Sequence, residues 1–121
     1  MYPPIFQVCS AASAVTALIG SNPVRLYPFG EAPQGVTLPY VAWQIVGGFP
    51  ENYLGDMPDT DTFTIQVDVY AATPESARSV AQSVRDAIQA TANITSWNGE
   101  SRDPDTRNYR VGFSVDWIVR R

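Results

Sequence analysis

Between Asp61 and Asp86 the chain switches from strand-like to helical hydrophobic spacing, which calls for one strand followed directly by one helix. Phe63, Ile65, Val67, Val69 and Ala71 alternate with Thr62, Thr64, Gln66, Asp68 and Tyr70, the pattern of a strand with one buried face. Thr73-Pro74-Glu75 then opens a helix. Thr73 can cap the first free N–H groups, Pro74 suits the first helical position, and Glu75 suits the positive end of the dipole. Ala77, Val80, Ala81, Val84 and Ile88 follow at helical spacing. The pattern predicts one strand feeding one helix that folds back over the strand's apolar face.

The rest of the chain supplies compatible elements. A first helix is predicted over residues 4–19, where Ile5, Val8, Ala12, Val15 and Ile19 form one stripe behind Pro3-Pro4. Cys9 lies beside that stripe and reads as a small buried filler. Val24 to Tyr27 is a short strand candidate, and residues 28–39 are dense in Pro and Gly, which predicts a fixed loop. Tyr40 to Val46 reads as a strand with Val41, Trp43 and Ile45 on one face. Ile94 to Trp97 begins another, Asn98-Gly99 signals a turn or a bulge, and residues 102–107 read as a turn. The last strand alternates most cleanly: Tyr109, Val111, Phe113, Val115, Trp117 and Val119 share one face. Adjacent strands joined by turns favour antiparallel pairing. The expected fold is therefore α+β: a mostly antiparallel sheet with two amphipathic helices packed on one face, as a single domain over residues 1–121. Asp68, Asp116, Arg110, Gln66 and Tyr70 fall on the other face, which is either simply wet or meets a neighbouring subunit.

Residues 47–60 form a long connection between two strands. Gly47-Gly48, Pro50, Gly55 and Pro58 exclude a helix there, while Phe49, Tyr53, Leu54 and Met57 are costly to leave in water. A mobile hairpin tip is one reading. An extended arm that orders against another subunit is the other, and the four apolar residues favour it.

Composition narrows the chemistry. The net charge is −4 and every basic residue is arginine, so phosphate binding lacks its clustered positive charge. Arginine-only usage fits either bidentate contacts between subunits or a genomic base-composition bias. There is no histidine and one cysteine, which excludes an internal disulfide and removes the commonest general base and metal ligand. No apolar run reaches the roughly 20 residues that span a bilayer. The N-terminus lacks a basic region and a cleavage signal, so use without export is expected. Asp68 and Asp116 can project from the same face, but no neighbouring pattern marks a pocket around them. Asp56, Asp59 and Asp61 lack the Gly and final Glu of a calcium loop. Gly30, Gly35 and Gly47-Gly48 are followed by no Gly-Lys-Ser/Thr and no helix, so they form no phosphate cradle. No cofactor and no catalytic set is expected.

Arg25-Leu26-Tyr27-Pro28 followed by Ala32-Pro33-Gln34-Gly35-Val36-Thr37-Leu38-Pro39-Tyr40 resembles the tail completion proteins of long-tailed bacteriophages, also called tail terminators or head–tail joining proteins. The strand FTIQVDVYA and the helix SARSVAQSVRDAI resemble the second block of that family. The resemblance implies a structural virion protein forming a ring, commonly a hexamer, at the head-proximal end of the tail tube. Such a ring ends tube polymerisation and docks the neck of a filled head. Its implied partners are further copies of itself, the major tail tube protein and neck or head-completion proteins. DNA would pass through the lumen without specific binding, and no membrane is involved. Phe49, Tyr53, Leu54, Met57, Arg110 and Asp116 are the candidate inter-subunit residues. A neck adaptor between portal and tail would use the same surfaces. A small enzyme or binding module built on Asp68, Asp116 and Arg110 is the least supported reading.

Overall fold

A computed structural model describes residues 2–21, 23–28, 30–33, 35–50 and 60–120. Along the chain run α1 (Ile5–Ser10), α2 (Ser13–Ile19), β1 (Leu26–Pro28), β2 (Tyr40–Pro50), β3 (Thr60–Ala71), α3 (Pro74–Ile88), β4 (Asn93–Arg102) and β5 (Tyr109–Arg120). The strands form one sheet in the order β1-β2-β3-β5-β4. Every pairing is antiparallel except β1 with β2, which is parallel. The helices cover one face, so the α+β two-layer expectation holds.

The core lies between that face and the helices. β3 and β5 pair without a break from Thr60↔Arg120 to Ala71↔Tyr109, which sets Ile65 against Val115, Val67 against Phe113 and Val69 against Val111. Directly opposed residues share a face, so these side chains form one apolar sheet surface, and all of them are buried. α3 lies across it with Ala77, Val80, Ala81, Val84 and Ile88, the five residues its spacing marks. Thr73 Oγ1 accepts a hydrogen bond from the Ser76 N–H at 3.1 Å, with Pro74 opening the helix as its sequence implies.

The predicted helix over 4–19 is two shorter helices instead. Ala12 takes an extended conformation with φ −92° and ψ 111°. Ser10 turns its hydroxyl back to the Gln7 carbonyl at 3.2 Å, a local bond that competes with helix continuation. The break also re-aims the apolar stripe. Ile5 and Cys9 are fully buried from α1, Val15 and Ile19 from α2, and Val8 and Ala12 are only partly covered. Burial pushes the Cys9 thiol up to about 12, which suits an inert filler. Arg25 locks the end of α2 to the start of β2, donating from Nε to the Pro39 carbonyl at 2.9 Å and from Nη2 to the Leu18 carbonyl at 3.3 Å.

Two further differences concern the strands. Gly47 to Pro50 is not a loose connection: β2 runs on through it, paired with Asp61 to Thr64 after a bulge between Ile45 and Gly47. Glycine makes this possible, because a Cβ at Gly48 would stand 2.5 Å from the Thr62 carbonyl oxygen. Backbone pairing with β3 thus overrides the poor strand propensity of the pair. Asn98-Gly99 is the bulge rather than the turn. β4 continues to Arg102, with its ladder shifted at Ile94/Ser96 and again at Trp97/Gly99, where Gly99 has φ 94°. The turn comes at Asp103, whose Oδ1 accepts from the Asp105 N–H at 2.8 Å. Those backbone donors hold the Asp103 carboxyl below its usual range.

Val67 sits at the centre, 0% exposed and flanked by Trp43 on β2 and Phe113 on β5. Val67→Asp places an unpaired charge there, a cost of several kcal/mol against a typical domain stability of about 5–15 kcal/mol. Loss of the cooperative melt in circular dichroism is the expected result. A retained sharp transition would contradict this placement of the core.

Candidate functional site

The face opposite the helices carries two distinct zones. The first lies near the start of β2. Tyr40 and Tyr70 are directly paired and stacked, with ring centroids 5.0 Å apart and planes at 20°. Tyr27 meets Tyr40 edge-on at 6.3 Å. Beside them Arg110 Nη2 contacts Asp68 Oδ1 at 2.7 Å, with side chains only 26% and 14% exposed. Gln66 Nε2 donates to both Asp68 oxygens, at 3.2 and 3.3 Å. Gly112 leaves the space for this pair: a Cβ there would lie 2.7 Å from Asp68 Oδ1 and 3.0 Å from Arg110 Nη2.

The second zone lies where β2, β3 and β5 extend together toward Pro50, Thr60 and Arg120. Phe49, Thr62 and Ile118 occupy one cross-strand row. Phe49 and Ile118 are 56% and 62% exposed. Thr62 between them is buried. Asp116 stands one step further in, accepting a hydrogen bond from Thr64 Oγ1 at 2.8 Å. With the 89–93 segment these residues bound a shallow depression of about 450 Å³. Val46, left out of the ladder by the bulge, is also exposed.

The structure therefore brings Phe49 and Asp116 together and leaves Arg110 in the other zone, tied to Asp68. Tyr53, Leu54 and Met57 lie outside the described residues. Ile118 was missed by sequence reasoning, although it is the one large apolar residue among the outward positions of β5. Trp97, half exposed on the helix side, carried no comparable signal.

The arrangement offers little for catalysis. In the β3–β5 register Asp68 faces Gly112, so Asp116 lies four positions further along, roughly 13 Å away, too far to share a proton. Among the described residues no group of three or more His, Cys, Asp and Glu could hold a metal, and no helix is long and apolar enough to cross a membrane. Phe49 and Ile118 leave an exposed apolar row on the outer face, beside hydrogen-bonded polar groups.

The chain belongs to the family described as tail completion protein gp17, whose model matches residues 3–120. Membership supports a structural role in a phage-type virion and argues against an enzyme. Among solved structures, a chain from the virion of a native gene transfer agent particle overlays with a TM-score of 0.59 at 19% identity, covering 97% of this chain and 92% of that one. The gp17 protein of bacteriophage SPP1 overlays with a TM-score of 0.57 at 11% identity, covering 95% and 85%. At these identities the likeness establishes the fold. No curated protein sequence matches the chain.

The tyrosine stack makes a pH prediction. Burial, then the Tyr70 and Asp103 charges, raises the Tyr40 pKa above its usual 10.0. Burial and then Asp68 raise Tyr70, against a smaller lowering by Arg110. A folded pKa above the unfolded one means stability that is complete below about pH 10 and lost as pH rises through the folded values. Urea midpoints are expected to hold up to that point and fall beyond it, with Tyr70→Phe flattening the fall. Identical alkaline profiles for the two proteins would contradict this.

Proposed function

We propose that the chain forms a closed homo-oligomeric ring, a hexamer, at the head-proximal end of a phage-type tail tube. There it ends tube polymerisation and supplies the surface that docks the neck of a filled head. The observation that carries this reading is the family match over residues 3–120. The outer face supports it. Phe49 and Ile118 stand exposed on a three-stranded extension, where a neighbouring copy or the tube protein can cover them. Asp116 would add a polar contact beside them, and Arg110 a donor at the other end of the face. Tyr53, Leu54 and Met57 would extend the apolar contact beyond Pro50. Heterologous contacts that close by rotation give rings.

The partners are then other copies of the chain, the major tail tube protein and neck or head-completion proteins. A net charge of −4 without lysine or histidine suits a ring whose lumen DNA passes without specific binding. No membrane contact, cofactor or catalysis enters this role. A neck adaptor between portal and tail is the second reading, because the same outer face would serve it.

Electron microscopy of particles lacking the protein separates the two. Overlong or uncapped tails indicate a terminator, whereas normal free tails beside tailless heads indicate an adaptor. Purified protein that neither caps nor binds tail tubes would sink the ring reading. Combined Tyr53→Ser and Leu54→Ser is expected to leave the melting of the monomer unchanged and to weaken assembly by about tenfold or more, equivalent to ~1.4 kcal/mol. A collapsed monomer melt would instead put those side chains in the core.

A further inference from the structure

Asn98-Gly99 takes no part in the outer-face contacts, yet it is the most reactive dipeptide of the chain. Asn98 is the one asparagine followed by glycine; the others precede Pro23, Tyr53, Ile94 and Tyr109. A glycine leaves the peptide nitrogen behind an asparagine open to reaction, because no Cβ shields it. Isoleucine and tyrosine crowd the same nitrogen with a side chain, and proline has no N–H there at all.

The fold leaves this pair accessible. β4 borders the sheet and pairs only with β5. Both residues are exposed. Trp97 pairs with Phe113 and Gly99 with Gly112, so Asn98 is the extra residue of the bulge and has none directly opposite. The ladder also shifts at Ile94/Ser96, so pairing is interrupted on both sides of the Ser96-Trp97 step. Opening such a segment of a border strand breaks few hydrogen bonds. Gly99 has φ 94°, and a Cβ there would meet nothing within 4 Å, so no neighbouring group stands over it.

The Asn98 side chain itself is held. Ser96 Oγ donates to its Oδ1 at 3.1 Å, and its Nδ2 donates to Ser114 Oγ at 2.9 Å. The second bond ties the carboxamide across to β5 rather than leaving it free to fold over the peptide that follows it. Each bond must break before Asn98 Cγ can approach the Gly99 nitrogen.

We propose that Asn98-Gly99 is a site of spontaneous deamidation and isoaspartate formation, its rate set by the hydrogen bonds with Ser96 and Ser114. The Gly99 nitrogen gives its proton to solvent base and attacks Asn98 Cγ. The N–Cγ bond forms, the Cγ–Nδ2 bond breaks, and the amide leaves as ammonia with a proton returned by solvent. Water then opens the cyclic imide at either carbonyl, giving aspartate or isoaspartate. Water is the only reagent consumed. Isoaspartate adds a methylene to the backbone of β4 just ahead of Glu100, which accepts from Arg78 of α3 at 2.7 and 2.9 Å. A change at Asn98 therefore reaches the contact between β4 and α3.

The test incubates the full chain in mildly alkaline buffer, folded and unfolded in urea, and samples both over time. Tryptic cleavage after Arg85 and Arg102 releases residues 86–102, and fragment masses separate Asn98 from Asn93. The folded chain is expected to show the mass gain of an amide-to-acid change at Asn98 while Asn93 and Asn108 stay intact. Enzymatic methylation is expected to detect isoaspartate in the product. The folded reaction should run slower than in urea, and Ser114→Ala should speed it by about two- to tenfold, the span of one lost hydrogen bond. Ser96→Ala removes the other bond from an exposed position and serves if Ser114→Ala does not melt like the native chain. Asn98→Gln should abolish the change. An intact Asn98 in the folded chain once the urea sample has largely converted overturns the proposal. So does a native rate equal to that in urea, or equal to those of both serine variants.

Discussion

The uninterrupted pairing of β3 with β5 is the constraint on which the rest of the structure depends. It lines Ile65, Val67 and Val69 against Val115, Phe113 and Val111, and so makes the one broad apolar surface that α1, α2 and α3 can cover. β2 and β4 add at its two sides, and neither meets the helices as fully. The same pairing runs past the helix-covered region to Thr60 and Arg120, carrying the outer row of Phe49, Thr62 and Ile118 with it. Core and candidate contact surface are thus two lengths of one ladder. A contact residue there inherits the rigidity of the core strands, so ordering it on binding costs little conformational entropy.

The polar zone of the outer face follows different physics. Asp68 and Arg110 are mostly covered, and Gln66 Nε2 donates to both carboxylate oxygens. A pair held this way contributes shape and orientation more than net stability. It keeps Arg110 from swinging freely, so any partner must accept the guanidinium where the sheet places it. Gly112 is part of this arrangement although it has no side chain to contribute.

Much of the fold was legible in the residues themselves. The alternation in β3 and β5 and the Thr73-Pro74 start of α3 each reflect local chemistry, and each appears where the pattern places it. What local pattern could not give depends on pairing between distant segments. Gly47-Gly48 reads as a breaker alone but becomes strand against Phe63 and Thr64. The stripe over 4–19 fits one helix, yet the break at Ala12 exchanges Val8 for Cys9 on the buried side. Phe49 and Asp116 could be named from exposure and alternation. Their adjacency could not, because it follows from a register shifted by the bulge after Ile45.

The bulged strand β4 carries one more consequence. Open sheet borders invite unlimited strand addition, and this sheet has two. β1 is three residues long and ends in Pro28, which has no amide proton to donate. β4 is longer, but its two ladder shifts bend its outer backbone away from a straight template. Along β1 and β4 a neighbouring strand therefore meets a short or interrupted run of donors and acceptors. The edge strands β1 and β4 are thus poor templates for strand addition.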